Sequence, residues 1–386
     1  MRNRFDYTNE LATSLSKSTL QPLAGRGTSA TRSHPKLRVD FDVRRFKLYH
    51  TPVACRDAAL NAARRARGMS RGTVARYSAD SGAAPCSAAT VRAVEVGSRA
   101  LLAFLWLFHW LPLAVQAACG RALGCLGYRV VSSRRKVALR NLELCFPELS
   151  AAERERLARE HFLWLGRSLL ERGLLWYASP ARLRKLIRVE GDVMLAERSE
   201  KPVMWLAPHF MGLDVAGASV LLFQKRKGIS IYQRQSNQVM DAALRRGRLR
   251  LGNAEIFSRY DAGKALIRAI RRGDAFFNLP DMDFGTRDAA FVPFFGVPVV
   301  TLLAPSRLAK AMNMVVQPVV AEILPGGQGY VVRYEAPWTD FPSDDPVADA
   351  ARMNRWIESE IRRNPAQYLW VHRRFKTRPA GEPSLY

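Results

Sequence analysis

The segment PVMWLAPHFMGLDVAGASVLLF (residues 202–223) decides the fold that this chain is predicted to adopt. Its first part, PVMWLAP, is a short apolar run that ends at a proline, which is typical of a buried strand. Its second part, LDVAGASVLLF, predicts a helix. His209 lies between the two parts, and Asp214 follows five residues later. The segment therefore predicts a strand, a turn that carries a histidine, and a helix.

The chain beyond this segment continues to alternate between predicted strands and helices. The strands are GISIYQRQ (228–235), AEIFS (254–258), DAFFNLP (274–280), MVVQPVVAEIL (314–324) and GYVVRYEAP (329–337), of which the last two are expected to pair. The helices are NQVMDAALRRGRLRLG (237–252), DAGKALIRAIRRG (261–273), VPVVTLLAPSRLAKAMN (297–313, after an initial turn) and DPVADAARMNRWIESEIRRNP (345–365). This alternation predicts an α/β fold with a mainly parallel central sheet flanked by helices.

The part of the chain before the sheet is predicted to contain two further regions. Residues 1–97 form a basic, low-complexity extension that we expect to be disordered or to reflect a mis-assigned start. Residues 98–120 contain an uncharged stretch, Ala100–Ala118, which as a helix would span roughly 28 Å, close to the hydrocarbon thickness of a bilayer. We predict a membrane-anchor helix there, with a buried core helix as the alternative, and one domain over 121–386.

The residues after the predicted anchor have helical character. Ser150 followed by Glu153 matches the capping-box pattern that begins a helix, and apolar residues recur at helical spacing up to Leu170. The basic cluster YRVVSSRRKVALR (128–140) adjoins the predicted anchor. Positive charge in this position favours the cytoplasmic side of a membrane for the domain that follows.

The composition of the chain indicates a polyanionic partner. Lys and Arg number 60 against 34 Asp and Glu, which gives a net charge of +26. Such an excess suits nucleic acid or an anionic membrane surface, and the adjacent apolar helix favours the membrane. The 5 cysteines contain no CxxC pair, which is typical of free thiols in a reducing compartment.

Common catalytic motifs are absent from the sequence. It has no GxSxG, P-loop, GxGxxG or HExxH pattern. The pair Asp281 and Asp283 would suit a divalent metal, but two acids at this spacing are common by chance. We therefore predict neither a metal nor a cofactor.

His209 is the leading candidate for catalysis because it ends a predicted strand, where open α/β sheets carry their sites. A turn would bring the Asp214 carboxylate to one imidazole nitrogen and leave the other free to take a proton. Among 6 histidines and 34 acids, however, this spacing is common by chance. Asp214 also suits the N-terminal turn of a helix for structural reasons. The residues alone leave a core histidine beside a helix N-terminus as the alternative.

Three other segments resemble the lipid A late acyltransferases, also called lauroyl or myristoyl Kdo₂-lipid IVA acyltransferases. They are NLELCFPELSAAERERL (141–157), PDMDFGTRDAAFVPFFGVPVVT (280–301) and QYLWVHRRFKTRP (367–379). Together with the His-x₄-Asp element they follow the order of the family from about residue 98 onward, and the chain resembles the lauroyl branch most. Residues 1–97 match nothing in the family.

The resemblance implies a glycerolipid-acyltransferase-like fold and an enzyme of the inner membrane of Gram-negative bacteria. The anchor would be single-pass or monotopic, with the catalytic domain on the cytoplasmic side. Such enzymes move a fatty acyl chain from acyl carrier protein to the hydroxyl of a 3-hydroxyacyl chain on a phosphorylated lipid A precursor. The implied partners are therefore acyl carrier protein, this precursor and the anionic membrane, not nucleic acid, and no cofactor is implied.

The resemblance also implies roles for four residues. His209 corresponds to the general base, and Asp214 corresponds to its acidic partner, a position where many members have Glu. Arg248, in GRLR, corresponds to a family arginine that would bind a phosphate. Asp281, the first aspartate of PDMDFG, would either hold Arg248 in place or cap a turn. His372, in YLWVHRR, is assigned a structural role.

Two other functions stay open from the residues. Glycerophospholipid or lysophospholipid acyltransferases also use a His-x₄-Asp pair, but they usually have Asn before the histidine, where this chain has Pro208, and an EGTRS-like loop, of which DFGTRD is a faint match. A basic protein that binds membranes or nucleic acid without catalysis would also explain the charge. The sequence predicts neither the acyl chain length nor the acylated hydroxyl.

Overall fold

The computed structural model describes residues 88–260 and 262–386 of the chain. Most of the predicted basic extension, residues 1–87, lies outside the described residues. The first described helix, α1 (Ala88–Phe108), includes the end of that extension and the start of the predicted anchor. The second helix, α2 (Leu113–Val130), contains the remainder of the predicted anchor.

The prediction of one anchor helix over 98–120 is wrong, because the chain turns between Phe108 and Leu113. Pro112 occupies the N-cap of α2, and its ring disfavours a helical conformation at the residue before it. The uncharged stretch is thereby divided between two helices, and the predicted domain boundary at residue 120 falls inside α2. Within 88–260 and 262–386, no helix combines the length and the apolar character needed to cross a membrane.

Four helices connect α2 to the sheet, and they are α3 (Ser132–Cys145), α4 (Ala151–Leu170), α5 (Arg172–Tyr177) and α6 (Pro180–Leu186). The capping box that begins α4 is confirmed. The Glu153 amide donates to the Ser150 hydroxyl at 3.2 Å, and the Ser150 amide donates to the Glu153 carboxylate at 2.8 Å. These two bonds satisfy donors that a helix N-terminus otherwise leaves unpaired.

Helices α2 and α4 pack backbone against backbone because glycines line their contact. A Cβ at Gly120 would lie 2.6 Å from the Cα of Arg167, and a Cβ at Gly124 would lie 2.1 Å from the carbonyl oxygen of Phe162. Gly166 faces both glycines from α4. Any larger residue at these positions would force the helices apart.

The centre of the fold is a seven-stranded sheet in the order β1-β9-β8-β2-β5-β3-β4. Its strands are β1 (Ile187–Gly191), β2 (Val203–Leu206), β3 (Gly228–Tyr232), β4 (Ala254–Ser258), β5 (Ala275–Asn278), β8 (Val315–Ile323) and β9 (Tyr330–Tyr334). All neighbouring strands are parallel except β8 and β9, which pair antiparallel. The predicted α/β fold with a mainly parallel sheet is confirmed, and so is the pairing of its last two strands.

Helices cover both faces of this sheet. They are α7 (Leu195–Arg198), α8 (Leu213–Phe223), α9 (Gln238–Leu249), α10 (Ala262–Arg271), α11 (Ala304–Ala311) and α12 (Pro346–Arg363). In the central strand β2, Val203 and Trp205 share a core with residues of α8 and α9, whereas Met204 and Leu206 share one with residues of α10 and α12. Burial on both sides explains the uninterrupted apolar sequence of β2.

A separate hairpin replaces part of one predicted helix. The strands β6 (Ala289–Phe294) and β7 (Val297–Leu302) pair antiparallel, and only Ala304–Ala311 of the predicted segment 297–313 is helical. The turn residues Phe295 and Gly296 have φ values of 49° and 77°, as a tight hairpin turn requires. Valines at alternate positions of β7 favour the strand.

The contact between α2 and α4 predicts opposite effects for two glycine substitutions. Gly124→Ala should lower the free energy of unfolding by about 1–3 kcal/mol, because its Cβ would meet the Phe162 carbonyl. Gly127→Ala is the matched control in the same helix, since its Cβ would lie 3.8 Å from the nearest atom. The control should gain up to about 1 kcal/mol from helix propensity. Denaturant unfolding of both variants tests this, and shifts of the same sign would contradict it.

A buried histidine of α4 predicts a pH dependence of stability. Burial lowers the pKa of His161 from 6.5 to about 4, and the His161 ring bonds the Ala366 carbonyl at 3.1 Å. Above pH 6.5 both folded and unfolded states are neutral at this residue. As the pH falls below 6.5, only the unfolded chain gains the proton, so stability is lost until the pH reaches about 4.

His161→Phe should therefore reduce the loss of stability between neutral pH and pH 5 by about 2 kcal/mol. Chemical denaturation of wild type and variant at both pH values measures the difference. Parallel losses in the two proteins would show that His161 does not cause this part of the acid sensitivity.

Candidate active site

His209 lies in the loop between β2 and α8, at the carboxyl end of the central strand. The Ala207 amide donates to the Asn278 carbonyl at 2.9 Å, which extends the parallel pairing of β2 and β5 to the start of this loop. The side chain of His209 is 16% exposed, so it is reached from one side only. This is the position at which open parallel sheets present their functional groups.

The segment Gln367–His372, near the C-terminus, holds the loop from the other side. The Met211 amide donates to the Gln367 carbonyl at 2.7 Å, and the Leu369 amide donates to the His209 carbonyl at 3.0 Å. Backbone bonds on both sides of the loop fix the position of the histidine independently of its side chain.

Asn141 in turn anchors this C-terminal segment. Its side-chain amide donates to the carbonyls of Trp370 and His372 at 2.6 and 2.7 Å. Its oxygen accepts a hydrogen bond from the hydroxyl of Tyr386. The segments that begin at Asn141, Pro280 and Gln367, far apart in the sequence, therefore meet around His209.

The carboxylate that contacts the His209 ring belongs to Asp281. One Asp281 oxygen accepts from the His209 backbone amide at 2.8 Å, and the other lies 2.6 Å from Nδ1. Burial acts to raise the pKa of Asp281, but the interactions with His209 outweigh it and lower the pKa to about 2. An ionised carboxylate only accepts hydrogen bonds, so we place the ring proton on Nδ1. Nε2 makes no hydrogen bond within the described part of the chain.

Asp214 instead pairs with two arginines. Arg248 donates to one oxygen of Asp214 through Nε at 3.1 Å and Nη2 at 2.7 Å, and Arg172 approaches the other oxygen at 3.1 Å. Burial acts to raise the pKa of Asp214, but the two guanidinium groups hold it below its usual range. Asp214 is thereby kept ionised, with both of its oxygens occupied by cations.

The structure thus exchanges the partners expected from the sequence. We expected Asp214 to orient His209 and Asp281 to hold Arg248, whereas Asp281 bonds His209 and Asp214 holds Arg248. The cause is the start of α8 at Leu213, which turns Asp214 toward α5 and α9. The end of β5, next to β2 in the sheet, brings Asp281 to the ring instead.

The sequence profile of bacterial lipid A biosynthesis acyltransferases matches residues 90–377, a range that contains His209, Asp214, Arg248 and Asp281. The chain belongs to this family. The lipid A biosynthesis palmitoleoyltransferase of Escherichia coli K12 is 37% identical over 288 residues, which are 74% of this chain and 92% of that protein.

Two further relatives from the same organism have similar identities. The lipid A biosynthesis lauroyltransferase is 35% identical over 285 residues, which cover 73% of this chain and 92% of that protein. The lipid A biosynthesis myristoyltransferase is 32% identical over 274 residues, which cover 70% of this chain and 83% of that protein. The family resemblance expected from the three segments is confirmed, and the acyltransferase is related to enzymes named after different acyl groups.

The second aspartate of DMD has a structural role in the acyltransferase. Asp283 accepts hydrogen bonds from the Thr377 amide at 2.7 Å, the Thr377 hydroxyl at 2.8 Å and the Gly285 amide at 3.0 Å. Both aspartates of the motif are therefore engaged by protein groups. Across the described residues, no three His, Cys, Asp or Glu side chains cluster in a way that suits a metal ion.

His372 lies beside the His209–Asp281 pair, a location that the sequence did not predict. Its Nε2 accepts from the Asp283 amide at 3.4 Å. Burial lowers the pKa of His372 to about 4, and the charges of Asp281 and His209 also act on it. His372 is therefore neutral at physiological pH. The only sequence signal for this location was its place in a segment shared with the family.

An apolar pocket begins at the Asp214–Arg248 pair and extends between α8, α9 and the sheet. Its empty space, including the mouth, is about 780 Å³. Asp214 and Arg248 belong to its lining. Most of the other lining residues are apolar, among them Leu175, Trp176, Ala218, Leu221, Leu251, Ile256, Phe277 and Leu279.

Proposed function

We propose that His209 is the general base of an acyl transfer from acyl carrier protein to a hydroxyl of a lipid A precursor. Nε2 removes the hydroxyl proton while the hydroxyl oxygen attacks the thioester carbonyl carbon. The carbon–sulfur bond then breaks, and the departing thiolate takes the proton back from His209. This proposal rests on one observation. The Asp281 carboxylate accepts hydrogen bonds from the backbone amide and from Nδ1 of His209, and Nε2 stays unoccupied.

Asp281 supports the base by holding the ring in one tautomer and by stabilising the imidazolium that forms during the reaction. A positioned general base typically contributes about 10²- to 10⁴-fold to a rate. The thioester is already activated, so no covalent acyl-enzyme is required. The reaction needs no cofactor, because the acyl carrier protein brings the acyl group as a thioester.

The negative charge on the thioester oxygen needs hydrogen-bond donors. The amides of Phe210 and Met211 already donate to the carbonyls of Pro208 and Gln367 at 2.8 and 2.7 Å. The next amide, that of Gly212, has no acceptor among the described residues, and it lies at the N-terminus of α8. Helix N-termini stabilise negative charge, so we assign the Gly212 amide as the oxyanion donor.

Arg248 is proposed to bind a phosphate of the precursor or of the donor's phosphopantetheine arm. Asp214 bonds its Nε and Nη2 and so fixes the direction of the guanidinium, while Nη1 makes no hydrogen bond in the described structure. Arg172, on the other oxygen of Asp214, adds a second positive charge. Asp214 is thus a positioning residue rather than the partner of the base.

The acceptor is proposed to be the hydroxyl of a 3-hydroxyacyl chain on a phosphorylated lipid A precursor at the cytoplasmic face of the inner membrane. The net charge of +26 suits this acceptor, an anionic bilayer and an acidic carrier protein. Helix α1 and the turn after it expose Phe104, Trp106, Leu107 and Trp110, side chains that favour contact with lipid. Family membership favours this substrate over a glycerophospholipid and over binding without catalysis.

The two acids are expected to affect different kinetic constants. Asp281→Asn should lower kcat for acyl transfer by about 10²- to 10⁴-fold, because its amide can present a donor to Nδ1 and favour the wrong tautomer. Asp214→Asn should mainly raise KM for the phosphorylated acceptor, because Arg248 loses its fixed direction. Steady-state assays with purified acyl carrier protein thioesters measure both. Equal effects of both variants on kcat, with KM unchanged, would contradict these roles.

The substrate is tested by mass spectrometry of lipid A from a strain that lacks the protein. The deletion strain and the strain carrying His209→Ala should each lack one acyl chain, and wild-type protein should restore it. Arg268→Ala, an exposed cation on α10 across the sheet, is the control and should restore the chain as well. A normal number of acyl chains in the deletion strain and in the His209→Ala strain would exclude lipid A as the substrate.

A further inference from the structure

Gly217 is an interior residue of α8 whose presence neither packing nor backbone conformation explains. A glycine inside a helix costs about 1 kcal/mol relative to alanine. Other glycines of this region are required by close contacts, since a Cβ at Gly212 would lie 2.7 Å from the Ala321 carbonyl oxygen. A Cβ at Gly217 would meet nothing within 4 Å, and its φ is not positive. The residue therefore leaves a volume empty instead of permitting a contact.

The empty volume above Gly217 is the apolar pocket between α8, α9 and the sheet. The polar side chains of its lining are already paired with protein groups. Asp214 bonds Arg248, the Ser230 hydroxyl donates to the Phe277 carbonyl at 2.9 Å, and Glu255 bonds a lysine outside the lining at 2.7 Å. A molecule in this pocket thus meets apolar surface with few open polar groups, which suits a hydrocarbon chain.

One end of the pocket is lined by residues that are close in sequence to His209 and Asp281. Its lining includes Leu279, two residues before Asp281, and Asp214, five residues after His209. From Asp214 the lining continues along one face of α8 through Gly217 to Leu221, a distance of roughly 10 Å at the rise of an α-helix. The pocket therefore runs from the Asp214–Arg248 pair along α8 toward Leu221.

We propose that this pocket binds the acyl chain of the thioester donor and that Gly217 sets the chain length that it accepts. The inference rests on the proposed function, because acyl transfer supplies a substrate with a free hydrocarbon end. The acceptor hydroxyl lies within a chain that is held with its neighbours in the lipid, so a pocket inside the domain suits the donor chain better. A side chain at position 217, about midway between Asp214 and Leu221 along α8, would block the path of the methylenes beyond it.

The relatives are consistent with a local determinant of chain length. Enzymes named after palmitoleoyl, lauroyl and myristoyl groups are 37%, 35% and 32% identical to this chain. Overall similarity therefore does not specify the donor. A single position in the wall of the pocket is able to change its depth while the catalytic contacts stay the same.

The test compares four full-length proteins, namely wild type, Gly217→Ala, Gly217→Leu and Gly263→Leu. Gly263 is an exposed glycine of α10 that also has nothing within 4 Å of an added Cβ, so it is the matched control. Each protein is assayed with acyl carrier proteins that bear saturated chains from octanoyl to palmitoyl. Thermal unfolding of Gly217→Ala serves as the folding check, and its midpoint should not fall.

We compare kcat/KM for the longest donors with kcat/KM for the shortest donors. We expect Gly217→Leu to lower this ratio by about 10-fold or more, because each methylene in a fitted pocket discriminates by about that factor. Gly217→Ala should shift the ratio less, and Gly263→Leu should leave it unchanged. An equal loss for all chain lengths in Gly217→Leu, or the same ratio as wild type, would overturn the proposal.

Failure of the proposed function gives a different result, namely no transfer by wild type from any donor. Binding of free saturated fatty acids, measured by calorimetry, then decides about the pocket. Wild type should prefer long chains and Gly217→Leu shorter ones. Absence of binding, or equal affinities in the two proteins, would overturn the assignment of the pocket.

Discussion

The site depends on the two hydrogen bonds that the Asp281 carboxylate accepts from His209. A carboxylate that is 1% exposed is stable as an anion only when hydrogen-bond donors replace its lost water. Here the backbone amide and Nδ1 of the same residue provide these donors at 2.8 and 2.6 Å. The two bonds fix the loop and the ring together, so the direction of Nε2 follows from the geometry of β2 and β5.

A second network, around Asp214, pairs two arginines of the site. Asp214 is enclosed by Arg248 and Arg172, and Asp281 is enclosed by the amide and ring of His209. The two acids therefore form hydrogen bonds with different partners, and each is held ionised. In the proposed mechanism, this division lets one acid support proton transfer while the other directs a guanidinium toward an anionic substrate. The loss of either acid would leave a different group without its counter-charge.

Local elements of this fold were predictable because their signals are local. The helix 213–223 and the strand 254–258 have the bounds that the apolar pattern indicated, and Ser150 begins its helix through the predicted capping box. The division of 98–120 at Pro112 had a signal too, but the uncharged composition outweighed it in our prediction. For residues 297–313 we predicted a turn and a helix, because the long apolar run gave no sign that its first part forms a strand.

The partners of the acids depend on long-range structure that no local pattern encodes. His209 and Asp281 are 72 residues apart, and they meet only because β5 lies beside β2 in the strand order. The five-residue spacing of His209 and Asp214 suggested a pair, yet the intervening start of α8 separates their roles. Family resemblance pointed to four residues that the structure joins in two pairs, but assigning each acid to its partner required the order of the strands.

Helix α8 connects the chemistry to the choice of substrate. Its N-terminus presents the Gly212 amide and Asp214, and its interior presents Gly217 to the pocket. Under this proposal, the oxyanion donor and the residue that limits the chain therefore belong to one helix. The contacts of Asp281 with His209 lie outside the pocket wall, so residues of that wall are free to vary without disturbing the base. Relatives named after palmitoleoyl, lauroyl and myristoyl groups are consistent with such a separation.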